Sequence, residues 1–199
     1  MVAQVQFFGT GDLSGGGFYS QIRDAVQTPG GIVAVGTATL YSGGTGSGDS
    51  PVLWTPAGGL VPLANDYPSN TSDVFVAARV ISADGTVIGG SAYNAPSGRD
   101  RSPALWSNHG STLTRLGFLG GANFFPNVGV NCLSSDGAVA YGFTRWNGGA
   151  MGAFRYTASG GMVSIGFLNP GDDTIVPQPH SALPMARWWP AIASTAMVR

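Results

Sequence analysis

Short apolar and β-branched runs, each bounded by Gly, Pro, Asp or Ser, recur along the chain in a fixed order. Ser82-Ala83-Asp84-Gly85-Thr86-Val87-Ile88-Gly89-Gly90-Ser91 returns as Ser134-Ser135-Asp136-Gly137-Ala138-Val139-Ala140-Tyr141-Gly142-Phe143, and Thr28-Pro29-Gly30-Gly31-Ile32-Val33-Ala34-Val35-Gly36-Thr37 is a looser copy. A second marker follows each: Pro51-Val52-Leu53-Trp54-Thr55, Pro103-Ala104-Leu105-Trp106-Ser107 and Ala153-Phe154-Arg155-Tyr156-Thr157. Aligning Gly36, Gly90 and Gly142 brings Val33, Val87 and Val139 into a second column, at spacings of 54 and 52 residues. Because side chains alternate along a strand, such columns keep their facing only if every unit has the same register.

The punctuation predicts four short antiparallel strands in each of three units, at about 17–65, 66–121 and 122–170. In the first, strands are expected at 22–27, 32–39, 51–55 and 60–64, with 42–50 a flexible loop. In the second they are expected at 74–81, 86–93, 103–107 and 113–119, with a loop over 94–102, and the third repeats the scheme. Asp84-Gly85 and Asp136-Gly137 are hairpin signals for a type I′ turn, which demands positive φ at both central residues. The Gly36, Gly90 and Gly142 column reads as a place where a neighbouring unit packs too closely for a side chain. Trp54, Trp106 and Tyr156, with Val52, Ala104 and Phe154 on the same face, are expected to fill the space between stacked sheets rather than form a sugar-stacking platform.

Gln6 to Leu13 resemble the end of a unit, matching Leu113 to Leu119 and Met162 to Leu168 in a Gly followed by X-Leu. This predicts an N-terminal partial unit that pairs with distant C-terminal residues. Four strands in about fifty residues is the size of one propeller blade. The fold class is therefore all-β, with β-propeller-like four-stranded units: three full blades and an N-terminal partial blade. The repeat domain covers 6–170, and 171–199 is a tail outside the repeat, too proline-rich at 175–184 for a central strand.

Composition narrows the function. Of 199 residues, 10% are charged and the net charge is -1, which leaves no basic patch for phosphates and argues against a nucleic-acid partner. No run approaches the ~18 apolar residues of a membrane span. The first eight residues carry no Lys or Arg and too short an apolar run for a signal peptide. Cys132, the single cysteine, excludes an intramolecular disulfide and reads as a small buried hydrophobe.

Candidate chemistry is thin. His109 lies in the turn Ser107-Asn108-His109-Gly110-Ser111 and reads as a solvated loop residue; His180 sits between prolines in the tail, and neither has metal-ligand spacing to the other or to Cys132. Asp84 and Asp136 read as turn residues bonded locally to Ser82 and Ser134. Asp49 and Asp172-Asp173 lack the spacing of a calcium loop. The Gly-rich runs at 15–17 and 43–48 carry no phosphate-binding fingerprint. No catalytic or metal-binding residue and no cofactor is assigned, and the ligand-binding residues are unknown. Aromatics outside the columns, Phe18, Tyr19, Tyr67, Phe124, Phe125 and Trp146, are the better candidates for ligand contact.

The string Ser-x-Asp-Gly-x-Val-x-x-Gly, then Ala153-Phe154-Arg155-Tyr156-Thr157, then Gly160 to Leu168, resembles the HAF repeat of extracellular bacterial proteins, over about residues 6–170. The resemblance implies a propeller-like β fold and an exported or cell-surface protein, and it brings no enzymatic residues with it. Val176-Pro177-Gln178-Pro179 is similar to the Val-Pro-Glu-Pro start of a sorting signal, with Gln178 in place of the acid and Arg187 and Pro190 interrupting the apolar run. The expected function is a binding or structural interaction module, with another chain or self-association completing the ring, or a glycan, as partner. The alternatives are a lectin-like module and a glycan-active hydrolase or lyase. The last would use carboxylates drawn from Asp24, Asp66, Asp73, Asp100, Asp172 and Asp173, some 5 to 10 Å apart.

Overall fold

The β-branched runs and tight turns form twelve strands in a computed structural model that describes residues 9–13, 19–41, 47–65, 76–93, 101–119, 128–145 and 151–166. The first sheet is a meander of β1 (Ser20–Thr28), β2 (Gly31–Tyr41), β3 (Ser47–Thr55) and β4 (Gly59–Pro62). The second holds β5 (Ala77–Ile81), β6 (Ile88–Tyr93), β7 (Arg101–Ser107) and β8 (Thr112–Arg115). The third holds β9 (Gly129–Leu133), β10 (Val139–Arg145), β11 (Met151–Thr157) and β12 (Gly161–Ser164). The protein is thus all-β, with three four-stranded antiparallel sheets in a propeller-like succession. First strands adjoin across sheets, β1 beside β5 and β5 beside β9, while β2 lies against β5 and β6 against β9.

Two expected loops are shorter than their composition indicates. Ser47–Ser50 belong to β3, pairing with Tyr41, Leu40, Thr39 and Ala38, and Arg101 and Ser102 open β7 opposite Tyr93 and Ala92. The glycines and serines that read as flexible are held by their partners' backbone ladder.

Apolar side chains fill two inter-sheet layers. Val35, with Val26, Val33 and Leu53 beside it, packs onto Ala78, Ile88, Ala104 and Trp106 of the second sheet. Val80, Val87 and Leu105 on that sheet's other face pack onto Val130, Leu133, Ala140 and Phe154 of the third. Two members of the aromatic column have the expected role here, Trp106 in the first layer and Tyr156 against the second, with Phe154 beside it; Trp54 is buried but belongs to neither layer.

Chain segments leaving one unit seal the next. Leu63 joins the layer between the first two sheets, where the Trp106 indole donates to the Ala64 carbonyl at 2.7 Å and the Ala64 N–H donates to the Gly110 carbonyl at 2.8 Å. Leu116 and Leu119 do the same on the third sheet. On the first sheet the place is taken by Leu13, packed with Ala38, Val52 and Leu60, and the Ser20 hydroxyl ties down the Gly11 carbonyl. Gly11 and Gly117, each two residues before its leucine, share a left-handed backbone, φ 71° and 78°. Residues 9–13 hold no strand, and both the preceding residues and the C-terminal partners expected for them lie outside the described residues.

The Asp-Gly turns differ from the expected type I′. Only Gly85 (φ 76°) and Gly137 (φ 69°) take positive φ, not Asp84 or Asp136. The hairpin closes more widely, with the Ser82 N–H donating to the Val87 carbonyl and the Gly85 N–H to the Ser82 carbonyl. Positive φ at two adjacent non-glycine residues appears instead at Asn108 and His109, in the β7–β8 turn that presents Gly110 to Leu63 and Ala64.

The glycine column also has a different cause from the one expected. A Cβ at Gly36, Gly90 or Gly142 would overlap the carbonyl oxygen of Gln21, Ala77 or Gly129 respectively, on the adjacent strand of the same sheet. The crowding arises because the first strand of every unit carries a β-bulge there. Ile22 pairs Gly36 and Asp24 pairs Val35, leaving Arg23 extra; Ala78 and Val80 pair Gly90 and Gly89 around Arg79; Val130 and Cys132 pair Gly142 and Tyr141 around Asn131.

Candidate functional site

The two ends of the sheets are built differently. One end carries the short, fully described turns 29–30, 56–58, 83–86, 108–111, 135–138 and 158–160. There the aspartates are exposed and each bonds within its own turn through Oδ1. The Asp84 carboxylate accepts from the Ser82 hydroxyl at 2.6 Å, the Thr86 N–H at 3.0 Å and the Thr86 hydroxyl at 2.9 Å. Asp136 accepts from the Ser134 hydroxyl at 2.6 Å and the Ala138 N–H at 3.0 Å. The serine hydroxyls in turn accept the N–H of Val87 and of Val139. These bonds hold both carboxyls below their ordinary pKa, the serine hydroxyl having the largest effect. The local reading of both aspartates stands, and His109 is exposed at this end.

The opposite end is where β2, β6 and β10 finish and β3, β7 and β11 begin, bordering residues 42–46, 94–100 and 146–150. The three bulges lie toward it, and they change what the first strands present. A bulge breaks the alternation of side chains and re-aims the extra residue. Arg79 is sent onto the third sheet, where its Nη1 donates to the Asn131 side-chain oxygen at 2.9 Å and its guanidinium carbon lies 5.8 Å from the Phe143 ring centroid. Gly129 makes room for it, since a Cβ there would crowd the guanidinium.

Other charges gather around this arginine. The nine Lys and Arg positions of the protein are all arginines, and Arg23 and Arg101 act on Arg79 here. Burial first, and then the like charges of Arg23 and Arg101, pull the Arg79 pKa down to about 10. Arg101 is buried at the start of β7, while Arg23 is exposed, so the cluster opens to solvent on the Arg23 side. Asp49 on β3 belongs to the same group. Burial pushes its carboxyl up, against the Thr39 hydroxyl bond at 3.4 Å and the charges of Arg23 and Arg101. At the outer side, Arg115 Nε donates to the Tyr93 carbonyl at 2.8 Å.

Three buried hydroxyls, Ser91, Ser102 and Thr144, have no hydrogen-bond partner among the described residues. All three stand in the halves of β6, β7 and β10 nearer this end. A buried polar atom left so costs about 1–3 kcal/mol.

The sequence reading named none of Arg23, Arg79, Arg101 and Asn131. The signal available for Arg79 and Asn131 was a polar residue 11 places before the aligned glycine inside an otherwise apolar strand; Arg23, 13 places before its glycine in the polar strand Ser20–Thr28, and Arg101 carried no such signal. Asp24, named as a candidate carboxylate, is engaged by backbone donors, accepting the Ile81 N–H at 3.0 Å from the neighbouring sheet and the Ala25 N–H at 2.9 Å. Tyr19 is exposed. Asp66, Asp73, Asp100, Asp172, Asp173, His180, Phe18, Tyr67, Phe124, Phe125, Trp146 and the tail with Val176-Pro177-Gln178-Pro179 lie outside the described residues. Among the described residues, no helix is long and apolar enough to cross a membrane and no group of His, Cys, Asp or Glu is arranged to hold a metal.

No family model matches the chain, and no curated protein matches it. Among solved structures it is similar to TolB from Acinetobacter baumannii, with TM-score 0.47 and 16% identity over 70% of this chain and 31% of that one. It is also similar to the β-propeller domain of the trilobed protease from Pyrococcus furiosus, with TM-score 0.44 and 8% identity over 77% of this chain and 44% of that one. The chain spans less than half the length of either.

Proposed function

We propose that this protein is a ligand-binding module of exported or cell-surface type, whose binding end is the one bearing Arg23, Arg79, Arg101, Asp49 and Asn131. The observation that carries the reading is the asymmetry of the two ends. In a chain with 10% charged residues, Arg23 and Arg101 act on both Arg79 and Asp49 at one end, beside buried hydroxyls without a partner among the described residues, while the exposed aspartates of the other end bond within their own turns. Segments connecting rigid strands are where repeat folds place recognition, and those bordering this end differ most between the units. The export setting is supported by the resemblance of the repeat to the HAF family.

Glycan-array binding by the purified protein tests the reading, with Arg23→Gln altering one end and Asp84→Asn the other. Binding that survives Asp84→Asn and weakens in Arg23→Gln is the expected result. Absence of binding to any glycan, or weakening by Asp84→Asn alone, overturns it.

A further inference from the structure

We propose that the far face of the third sheet is a docking surface and that its occupant is the chain's own segment 167–199. Each of the first two sheets turns one face to the sheet that follows it. On the first sheet this face carries Val33, Val35 and Leu53, packed in the layer against the second sheet; on the second it carries Val87 and Leu105, packed against the third. The same columns continue on the third sheet as Val139, Tyr141 and Arg155. Tyr141 pairs Arg155 and Arg155 pairs Val163, so strand alternation puts all four on one face. No further sheet lies on that face among the described residues. Phe143 and Ala153 on it are buried, but Val139, Tyr141 and Arg155 are half-buried and Val163 is 52% exposed.

The end of each unit delivers the chain to this face. The N–H groups of Leu63, Leu116 and Ile165 donate to the carbonyls of Pro51, Pro103 and Ala153 at 2.9, 2.9 and 3.1 Å, which makes the three residues equivalent. Leu63 and Leu116 then enter the layer against the following sheet. Ile165 holds the same place and is 38% exposed. Apolar surface gathered in this way, at a position that is an inter-sheet layer in both other units, marks a contact face.

Arg155 selects the occupant. It stands where Leu53 and Leu105 stand in the other units, so this layer calls for a carboxylate as well as apolar groups. Segment 167–199 follows Ile165 almost at once; its acids are Asp172 and Asp173, and Ile175-Val176, Ala182-Leu183 and Trp188-Trp189 supply the apolar part. Its tether makes docking an intramolecular event, favoured by a high effective concentration. A second copy fits less well. Face to face, two copies bring like Arg155 charges into one interface. Head to tail, they need the corresponding face of the first sheet, where Ala38, Val52 and Trp54 are already buried.

Trypsin cleavage after Arg187 in the intact native protein, followed by mass spectrometry, tests the docking, because proteolysis tracks the population of the open form. The expected result is cleavage about tenfold faster in Val163→Asp and in Arg155→Glu than in the parent, with the parent rate restored when Arg155→Glu is combined with Asp172→Arg and Asp173→Arg. Thermal unfolding of each variant establishes that the sheets remain folded. Equal cleavage rates in the parent and Val163→Asp overturn the docking. Failure of the charge reversal to restore protection overturns the choice of this segment. A dimer seen by light scattering in the parent and lost in Val163→Asp assigns the face to a second copy and overturns it as well.

Discussion

Arg79 Nη1 donates to the Asn131 side-chain oxygen at 2.9 Å across 52 residues, joining the extra residue of one bulge to that of the next. The pair is asymmetric in energy. Burial penalises the Arg79 charge, whereas Asn131 is its hydrogen-bond partner among the described residues. Removing Asn131 leaves a buried guanidinium without that acceptor, which costs more than removing the guanidinium. Asn131→Ala is therefore expected to lower stability by about 2 kcal/mol, and Arg79→Met, which keeps a stem over the Phe143 ring, by less than about 1 kcal/mol. Urea unfolding of the two variants decides the order; a larger loss in Arg79→Met contradicts it.

Gly90→Ala places a Cβ against the Ala77 carbonyl oxygen, a backbone atom that gives way only if the bulge is undone. The expected loss is about 3 kcal/mol, the upper range for overpacking. Gly9→Ala, with nothing within 4 Å, is expected to stay within about 0.5 kcal/mol of the parent. Thermal unfolding compares them, and near-neutrality of Gly90→Ala contradicts the steric account.

The strands and the place of Trp106 between two sheets were legible because register and alternation leave columns that a sequence displays directly. Val33, Val87 and Val139 align, and Trp106 is where the column places it. The bulges were not legible, because an extra residue removes the alternation that reveals facing. Arg79 in Ala77-Ala78-Arg79-Val80-Ile81 reads as one polar position in a buried strand. Its destination is a neighbouring sheet whose residues lie some fifty places further on. The glycine column was visible and its cause was not, since a close approach in the same sheet and one between sheets leave the same mark.

Cys132 is buried in β9, and burial pushes its thiol up to about 11. The thiolate is the reactive species, so both its scarcity and its inaccessibility protect it. The native protein at pH 8 is expected to give no reaction with a disulfide reagent in minutes and full reaction after denaturation. Rapid labelling in the native state contradicts the placement.

The acid dependence separates the carboxylates. Asp84 and Asp136 have pKa values held below 3.8 by the serine hydroxyl and a backbone N–H, while Asp49 is pushed above 3.8 by burial. For the turn pair the folded pKa is the lower one, so the stability they add is complete above the unfolded value and lost as pH falls through the folded value, below 3.8. Asp49 has the opposite sign: its contribution is greatest below the unfolded value and declines as pH rises through the folded one, above 3.8. Carboxyl-carbon NMR titration is expected to give Asp49 above 3.8 and both turn aspartates below it. Arg23→Gln, by removing a favourable charge, is expected to raise Asp49 further and leave Asp84 unmoved. An unchanged Asp49 value in that variant would place Arg23 away from the carboxylate, and the group around Asp49 would lose its exposed member.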